Sequence, residues 1–165
     1  MRSSNALRRD AALAAVSFGL ITATSILGQI ATFPNLVPWY AGLVKPFFNP
    51  PNWVFAPIWT ALYVLMAFAF WRVLRAPISP GNRRRSAVML FVVLLLLNAA
   101  WSWMFFWAHS PLLGLINILP QLVVTVATTM SFAQIDRLAA LCLLPLIAWI
   151  AFAGLLNAAI WMLNS

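Results

Sequence analysis

The segment Trp39–Tyr63, WYAGLVKPFFNPPNWVFAPIWTALY, holds several aromatic residues and four prolines but only one charged residue, Lys45. Each proline fixes a backbone angle and removes an N–H group that a loop at the membrane edge could not satisfy. A simple tether between two helices needs neither rigid rings nor prolines. We therefore expect residues 34–52, which we call the connector, to form a stiff apolar lid that includes Lys45, Pro46, Pro50 and Pro51.

The composition around this segment excludes a water-soluble domain. Of the 165 residues, 64% are hydrophobic and 7% are charged, whereas about a quarter of the residues in a soluble domain are charged. Apolar runs of about 20 residues, long enough to cross a bilayer, recur along the chain. The net charge of +8 comes from arginines at the ends of these runs, a pattern typical of membrane topology rather than of nucleic-acid binding. We predict an integral membrane protein.

Charged and proline-rich breaks divide the chain into five apolar segments. The run LFVVLLLLNAAW does not alternate as a barrel strand would, so the segments are expected to be helices. Nine arginines fall on one side and Lys45 alone on the other, which predicts an inner N-terminus and an outer C-terminus. A cleaved signal peptide is the alternative for the first run, but that run exceeds the usual length. The prediction is one all-α domain, residues 1–165, with helices at 11–33, 53–73, 87–108, 112–134 and 138–163.

Aromatic and polar residues recur at helical spacing on three of these helices. Residues three or four apart share one face of a helix. Polar amides in a membrane helix normally face the bundle interior. Such stripes are consistent either with packing between helices or with an aromatic cavity that has a few polar anchors. The stripes are Trp59, Tyr63, Met66 and Phe70; Asn98, Trp101 and Phe105; and Trp149, Ala153 and Asn157.

Three sequence blocks resemble the TspO/MBR family of tryptophan-rich sensory proteins and mitochondrial translocator proteins. They are WYAGLVKPFFNPPNWVFAPIWTALYVLM at Trp39–Met66, LNAAWSWMFF at Leu97–Phe106 and LPLIAWIAFAGLLNAAIW at Leu144–Trp161. The resemblance implies a five-helix bundle, often dimeric, with a pocket under the first loop that binds porphyrins and synthetic benzodiazepine-type ligands. The pocket residues that it implies are Trp39, Trp59, Tyr63, Asn98, Trp101, Phe106, Trp149, Ala153 and Asn157.

The chain also departs from the family pattern. No Tyr followed by Lys or Arg occurs after Trp149, so the cholesterol motif of animal members is missing. Phe47 and Phe48 follow Lys-Pro where many members have Trp. The third helix lacks an expected Gly-x-x-x-Gly motif, which removes support for that dimer face. Asn117 stands where some members have an acidic residue.

The main hypothesis is a receptor or carrier for tetrapyrroles such as protoporphyrin, with a homodimer and a bacterial inner membrane as further expectations. Conventional catalysis is not expected, because no nucleophile, base and orienting group can be assembled. No cofactor or metal is expected either, and His109 stands alone. One alternative is light- and oxygen-dependent breakdown of bound porphyrin, in which Trp59 and Trp149 would be redox partners. The other is a membrane scaffold that binds no ligand.

Overall fold

The computed structural model describes residues 2–77 and 82–165, with side chains from residue 4 onwards. Within these ranges the chain is helical and has no strand. Five segments are long and apolar enough to cross a membrane, which confirms the predicted all-α, five-span architecture for the described residues. They are Ser4–Tyr40, Asn52–Arg75, Arg83–Trp107, Pro111–Ala133 and Arg137–Leu163.

Some predictions fall outside what the structure describes or tests. The break between the second and third predicted helices includes Ile78, Ser79, Pro80 and Gly81, which lie outside the described residues, as does the side chain of Arg2. The sidedness of the termini stays a prediction. The arginine end carries Asp10, Arg75 and Arg137, and the connector end carries residues 34–52.

In the described part of the chain, six α-helices build the five spans: α1 (Arg2–Thr32), α2 (Asn52–Arg75), α3 (Arg83–Ser102), α4 (Pro111–Ala133), α5 (Arg137–Leu141) and α6 (Leu144–Leu163). α1 begins nine residues before the predicted position 11, because no proline or glycine interrupts its polar first turns. α4 begins at the predicted break. Its N-cap is Ser110, whose Oγ accepts a hydrogen bond from the N–H of Leu113 at 3.2 Å, and Pro111 occupies the first turn, where its missing N–H has no consequence.

The predicted fifth helix is divided in two. α5 ends at Leu141 and α6 begins at Leu144, with Pro145 in its first turn. Proline has no N–H to continue the hydrogen-bond ladder, and its ring clashes with the preceding turn. The kink therefore occurs where the sequence places a proline inside the apolar run.

The third span changes its winding near the connector end. After Ser102, the segment Trp103–Trp107 forms a wider turn, in which the N–H of Ala108 bonds to the carbonyl of Trp103 at 2.9 Å. Phe105 and Phe106, which both lie in this wider turn, are buried.

The half of the bundle towards the arginine end is filled by side chains. Phe91 lies between Phe70 and Phe132, with ring centroids at 4.3 and 5.6 Å and nearly parallel planes. Met66 and Leu146 are also fully buried beside them. In lipid such a core is held by close packing rather than by exclusion of water. Met66 and Phe70 thus belong to the core, although they continue the stripe of Trp59 and Tyr63.

Ion pairs hold the helices together at the arginine end. Arg72 binds Asp136 at 2.7 Å, and Arg75 binds Asp10 at 3.2 Å. The indole N–H of Trp71 donates to the carbonyl of Asp10 at 3.3 Å, so α1 and α2 are tied here. The hydrogen bond from Arg72 lowers the pKa of the Asp136 carboxyl below its usual value.

Candidate functional site

The half of the bundle towards the connector end is hollow. A cavity of about 510 Å³ lies there, lined by residues of α1, α2, α3, α4 and α6 and of the turns next to α1 and α3. This volume falls within the usual range for sites that bind small molecules. None of the lining residues is Asp, Glu, Lys, Arg or His. The cavity therefore suits an uncharged, largely apolar guest, because burying an unpaired charge is costly.

All of the predicted ligand-binding residues except Trp39 line this cavity. They come from three helices and from the widened turn after α3: Trp59, Tyr63, Asn98, Trp101, Phe106, Trp149, Ala153 and Asn157. The indole N–H groups of Trp59 and Trp149 have no acceptor among the described residues, so both remain available to a guest.

Trp39 lies behind the cavity wall instead of on it. Its ring stacks on His109 with centroids 4.8 Å apart and meets Phe105 edge-on at 5.4 Å. His109 adopts a positive φ of 50°, and its Nε2 lies 2.7 Å from Oδ1 of Asn35. Trp39 thus supports Phe105 and Phe106, which line the cavity. His109 is part of the same packing, since its ring stacks on Trp39.

The connector covers the cavity end with only part of its length. Leu36, Tyr40 and Asn52 line the cavity, whereas the predicted lid residues Lys45, Pro46, Pro50 and Pro51 do not. The ammonium of Lys45 donates to the carbonyls of Tyr40 at 2.7 Å and Leu43 at 3.1 Å. It also lies 4.6 Å from the centre of the Tyr40 ring. Lys45 therefore stiffens the connector by bonding to its own backbone.

Asn164 fastens the connector to the end of α6. Its side-chain oxygen accepts from the N–H of Val44, and its side-chain nitrogen donates to the carbonyl of Val44, both at 2.9 Å. The same nitrogen donates to the carbonyl of Ile160 at 2.7 Å. No sequence pattern singled out Asn164, because its partner is a backbone unit 120 residues away.

Two of the predicted amides are held by ring partners. Asn157 accepts from the indole N–H of Trp101 at 3.2 Å and donates to the carbonyl of Pro111. Asn98 accepts from the hydroxyl of Tyr63 at 3.3 Å, and its buried nitrogen has no partner among the described residues. These bonds fix Trp101 and Tyr63 as walls of the cavity.

The contributions of α1 and α4 to the cavity were not predicted from the sequence. From α1, Ser25, Gly28, Gln29 and Thr32 line the cavity, and from α4, Gln121 does so. Gln121 is buried, and its oxygen faces the side-chain nitrogen of Asn117 at 3.4 Å. The available signal was polar residues at helical spacing in apolar helices, the same signal that identified Asn98 and Asn157.

The cavity opens sideways between the first two spans. Every exposed residue of the cavity lining lies on one of these two spans: Gln29, Phe33, Asn52, Ala56 and Thr60. The lining residues of α3, α4 and α6 are buried or half-buried. Within residues 2–77 and 82–165 no group of three His, Cys, Asp or Glu side chains could hold a metal ion.

Comparison with known proteins gives consistent results along almost the whole chain. The sequence model of the TspO/MBR family matches residues 14–162. The tryptophan-rich protein TspO of Chlorobaculum tepidum is 39% identical, over 91% of this chain and 94% of its own length. The translocator protein of Sus scrofa is 35% identical, over 92% and 90%. The tryptophan-rich sensory protein of Cereibacter sphaeroides is 32% identical, over 76% and 77%.

Proposed function

Because the chain belongs to the TspO/MBR family, we propose that it is a membrane receptor or carrier for flat, largely apolar tetrapyrroles such as protoporphyrin. It is an integral multi-pass membrane protein, since five segments of the described residues are long and apolar enough to cross a bilayer. The names of its relatives, sensory protein and translocator protein, indicate a sensory or transport role in the membrane. The tetrapyrrole is our proposal for the ligand of that role.

The observation that carries this proposal is the uncharged cavity with rings on several sides. Trp59, Trp101 and Trp149 come from three helices and line one space. Aromatic rings gain most from offset or edge-to-face contact with other flat rings, and a macrocycle presents a large flat face. The ionised propionates of a porphyrin would remain at the open side, because no cation lines the interior.

The closed end of the cavity favours a receptor over a channel. Beyond it lies the stack of Phe70, Phe91 and Phe132, whose rings are almost completely buried. A bound guest would therefore have no path towards the arginine end in this conformation. The proposal includes an inner N-terminus, an outer C-terminus, a bacterial inner membrane and a homodimer.

Titration of the detergent-solubilised protein with protoporphyrin, followed by tryptophan fluorescence, tests the proposal. We expect saturable quenching, and loss of at least tenfold in affinity when Trp59→Ala and Trp149→Ala are combined. Trp107→Ala is the matched control, because Trp107 is exposed and does not line the cavity. Unchanged affinity in the double variant would refute this site, and absence of saturable binding would favour a scaffold.

Breakdown of the bound porphyrin is a second candidate function. The observation that favours it is that Trp59 and Trp149 line the same cavity and leave their indole N–H groups free among the described residues. Illumination of the protoporphyrin complex in air should then give new products in amounts that fall when Trp149 is replaced by Phe. If Trp149→Phe binds protoporphyrin normally and product formation is unchanged, Trp149 is not a redox partner.

A further inference from the structure

Polar side chains lie on both sides of the gap between α1 and α2. On α1, Ser25, Gln29 and Thr32 recur four and three residues apart, and on α2, Asn52 and Thr60 lie eight residues apart. Such spacings place residues on one helix face. All five line the cavity, and Gln29, Asn52 and Thr60 are exposed. Each helix therefore turns a polar face towards the opening.

Exposed polar groups are unusual in a membrane span. Hydrocarbon offers no hydrogen-bond partner, so such side chains normally face the protein interior or a wet cavity. The hydroxyls of Thr32 and Thr60 return to carbonyls of their own helices at 2.9 and 2.8 Å. Gln29 donates one hydrogen bond to Ser25 at 2.8 Å. The remaining donor and the oxygen of Gln29, and the whole amide of Asn52, have no partner among the described residues.

The shape of the bundle limits this opening to the connector half. At the arginine end α1 and α2 are joined through Asp10, which binds Arg75 and accepts from Trp71. Towards the connector, the exposed lining residues of α2 are small or polar, with Ala56 between Asn52 and Thr60, and those of the first span are Gln29 and Phe33. A flat guest could pass edgewise between the helices there, without displacing the filled core.

We propose that ligands enter and leave the cavity sideways through this gap, and that the amides of Gln29 and Asn52 hold the carboxylate edge of the ligand at the opening. This inference rests on the proposed function and names the part of the site that contacts the polar edge. The uncharged interior accepts the apolar edge of the ring, and an ionised edge stays where amide donors and the membrane surface are within reach.

Two porphyrins that differ in whether their carboxyl groups are free or esterified test the carboxylate contact. Protoporphyrin has two free carboxyl groups, and its dimethyl ester has none. Replacing both amides, Gln29→Leu with Asn52→Leu, should weaken protoporphyrin binding about tenfold, or about 1.4 kcal/mol, and ester binding less than twofold. Gln134→Leu is the control, since Gln134 is an exposed amide away from the cavity. Equal losses for both porphyrins would overturn the carboxylate contact.

Blocking the gap tests the route. Ala56→Cys is made in a Cys142→Ala background, because Cys142 is the single native cysteine, and is labelled with a bulky maleimide. We expect the label to slow protoporphyrin uptake and release at least tenfold. Labelled Leu112→Cys, an exposed residue at the connector end outside the cavity lining, should behave like the unlabelled protein.

The outcomes separate this inference from the proposed function. Exchange at the unlabelled rate after labelling Ala56→Cys would overturn the lateral route while binding itself persists. If the native protein bound neither porphyrin saturably, the proposed function would be overturned, and this inference with it. Folding of each variant is checked by its thermal unfolding, so loss of structure is not mistaken for loss of the contact.

Discussion

Replacing Gly114 by alanine should damage the cavity wall from behind. A Cβ atom at this position in α4 would lie 2.7 Å from Oδ1 of Asn157 and 2.9 Å from Cδ2 of Phe105. Neither neighbour is free to withdraw. Asn157 is bonded at both ends of its amide, to Trp101 and to the carbonyl of Pro111. Phe105 is buried and stacks on Trp101 with centroids 5.1 Å apart.

The magnitude follows from these contacts. Forcing a methyl group into a packed site costs about 1–3 kcal/mol, and losing the bond between Trp101 and Asn157 adds about 1 kcal/mol. A total of about 2–4 kcal/mol corresponds to a fall in Tm of about 5–15 °C for a chain of this size. Thermal unfolding in detergent measures the change in Tm. Protoporphyrin titration should also show weaker binding, because Trp101 moves.

Two other glycines provide matched controls. At Gly154 the nearest atom to an added Cβ is Cγ2 of Ile118 at 3.2 Å, so this neighbour must move by only a few tenths of an ångström. At Gly19 nothing lies within 4 Å, and alanine favours a helix by up to about 1 kcal/mol over glycine. We expect Tm to fall slightly for Gly154→Ala and to stay constant or rise for Gly19→Ala. A Tm for Gly114→Ala within 2 °C of the wild type would refute the argument.

Two further predictions concern the ends of the bundle. Asn164→Ala removes both bonds to Val44, which should lower the free energy of opening the connector by about 1–2 kcal/mol. Hydrogen exchange of the backbone amides in the connector should therefore become faster; exchange at the wild-type rate would contradict this. Because the pKa of Asp136 is lowered in the folded protein, its bond to Arg72 contributes its full stability above the ordinary pKa of about 4, and this contribution is lost as pH falls through the lowered pKa. Asp136→Asn keeps an acceptor for the N–H of Ala139, so its deficit in Tm at pH 7 should shrink towards pH 3; a constant deficit would count against this linkage.

The number of spans was predictable because the bilayer fixes the length of an apolar helix and charges or prolines interrupt the pattern. Local winding was less accessible. Nothing in WMFFW distinguishes a regular helical turn from the wider turn at Trp103–Trp107, since either keeps the same apolar residues in the membrane. Helical spacing therefore predicted Phe105 on the same helix face as Asn98, whereas Phe106 was predicted as a pocket residue only from the family resemblance.

The sequence predicts which helix face each cavity residue lies on, but not whether that residue lines a cavity or lies in the packed core. Trp59 and Met66 lie on the same stripe, yet one lines a void and the other is enclosed by the core. Whether a space remains depends on the side chains that face the stripe from other helices. Rings such as Phe91 fill the arginine half, whereas small residues such as Gly28 and Ala153 face the connector half. Single-helix patterns hold no information on that difference.

The division of the bundle into a hollow half and a filled half restricts how a ligand could be handled. Passage across the bundle would require Phe70, Phe91 and Phe132 to separate, and each ring is packed against its neighbour with almost no exposed area. Opening the gap between α1 and α2 disturbs none of these contacts, because the ties of Asp10 lie at the other end. We therefore infer that ligand exchange occurs with the leaflet on the connector side, a behaviour that suits a receptor or an intramembrane carrier better than a channel.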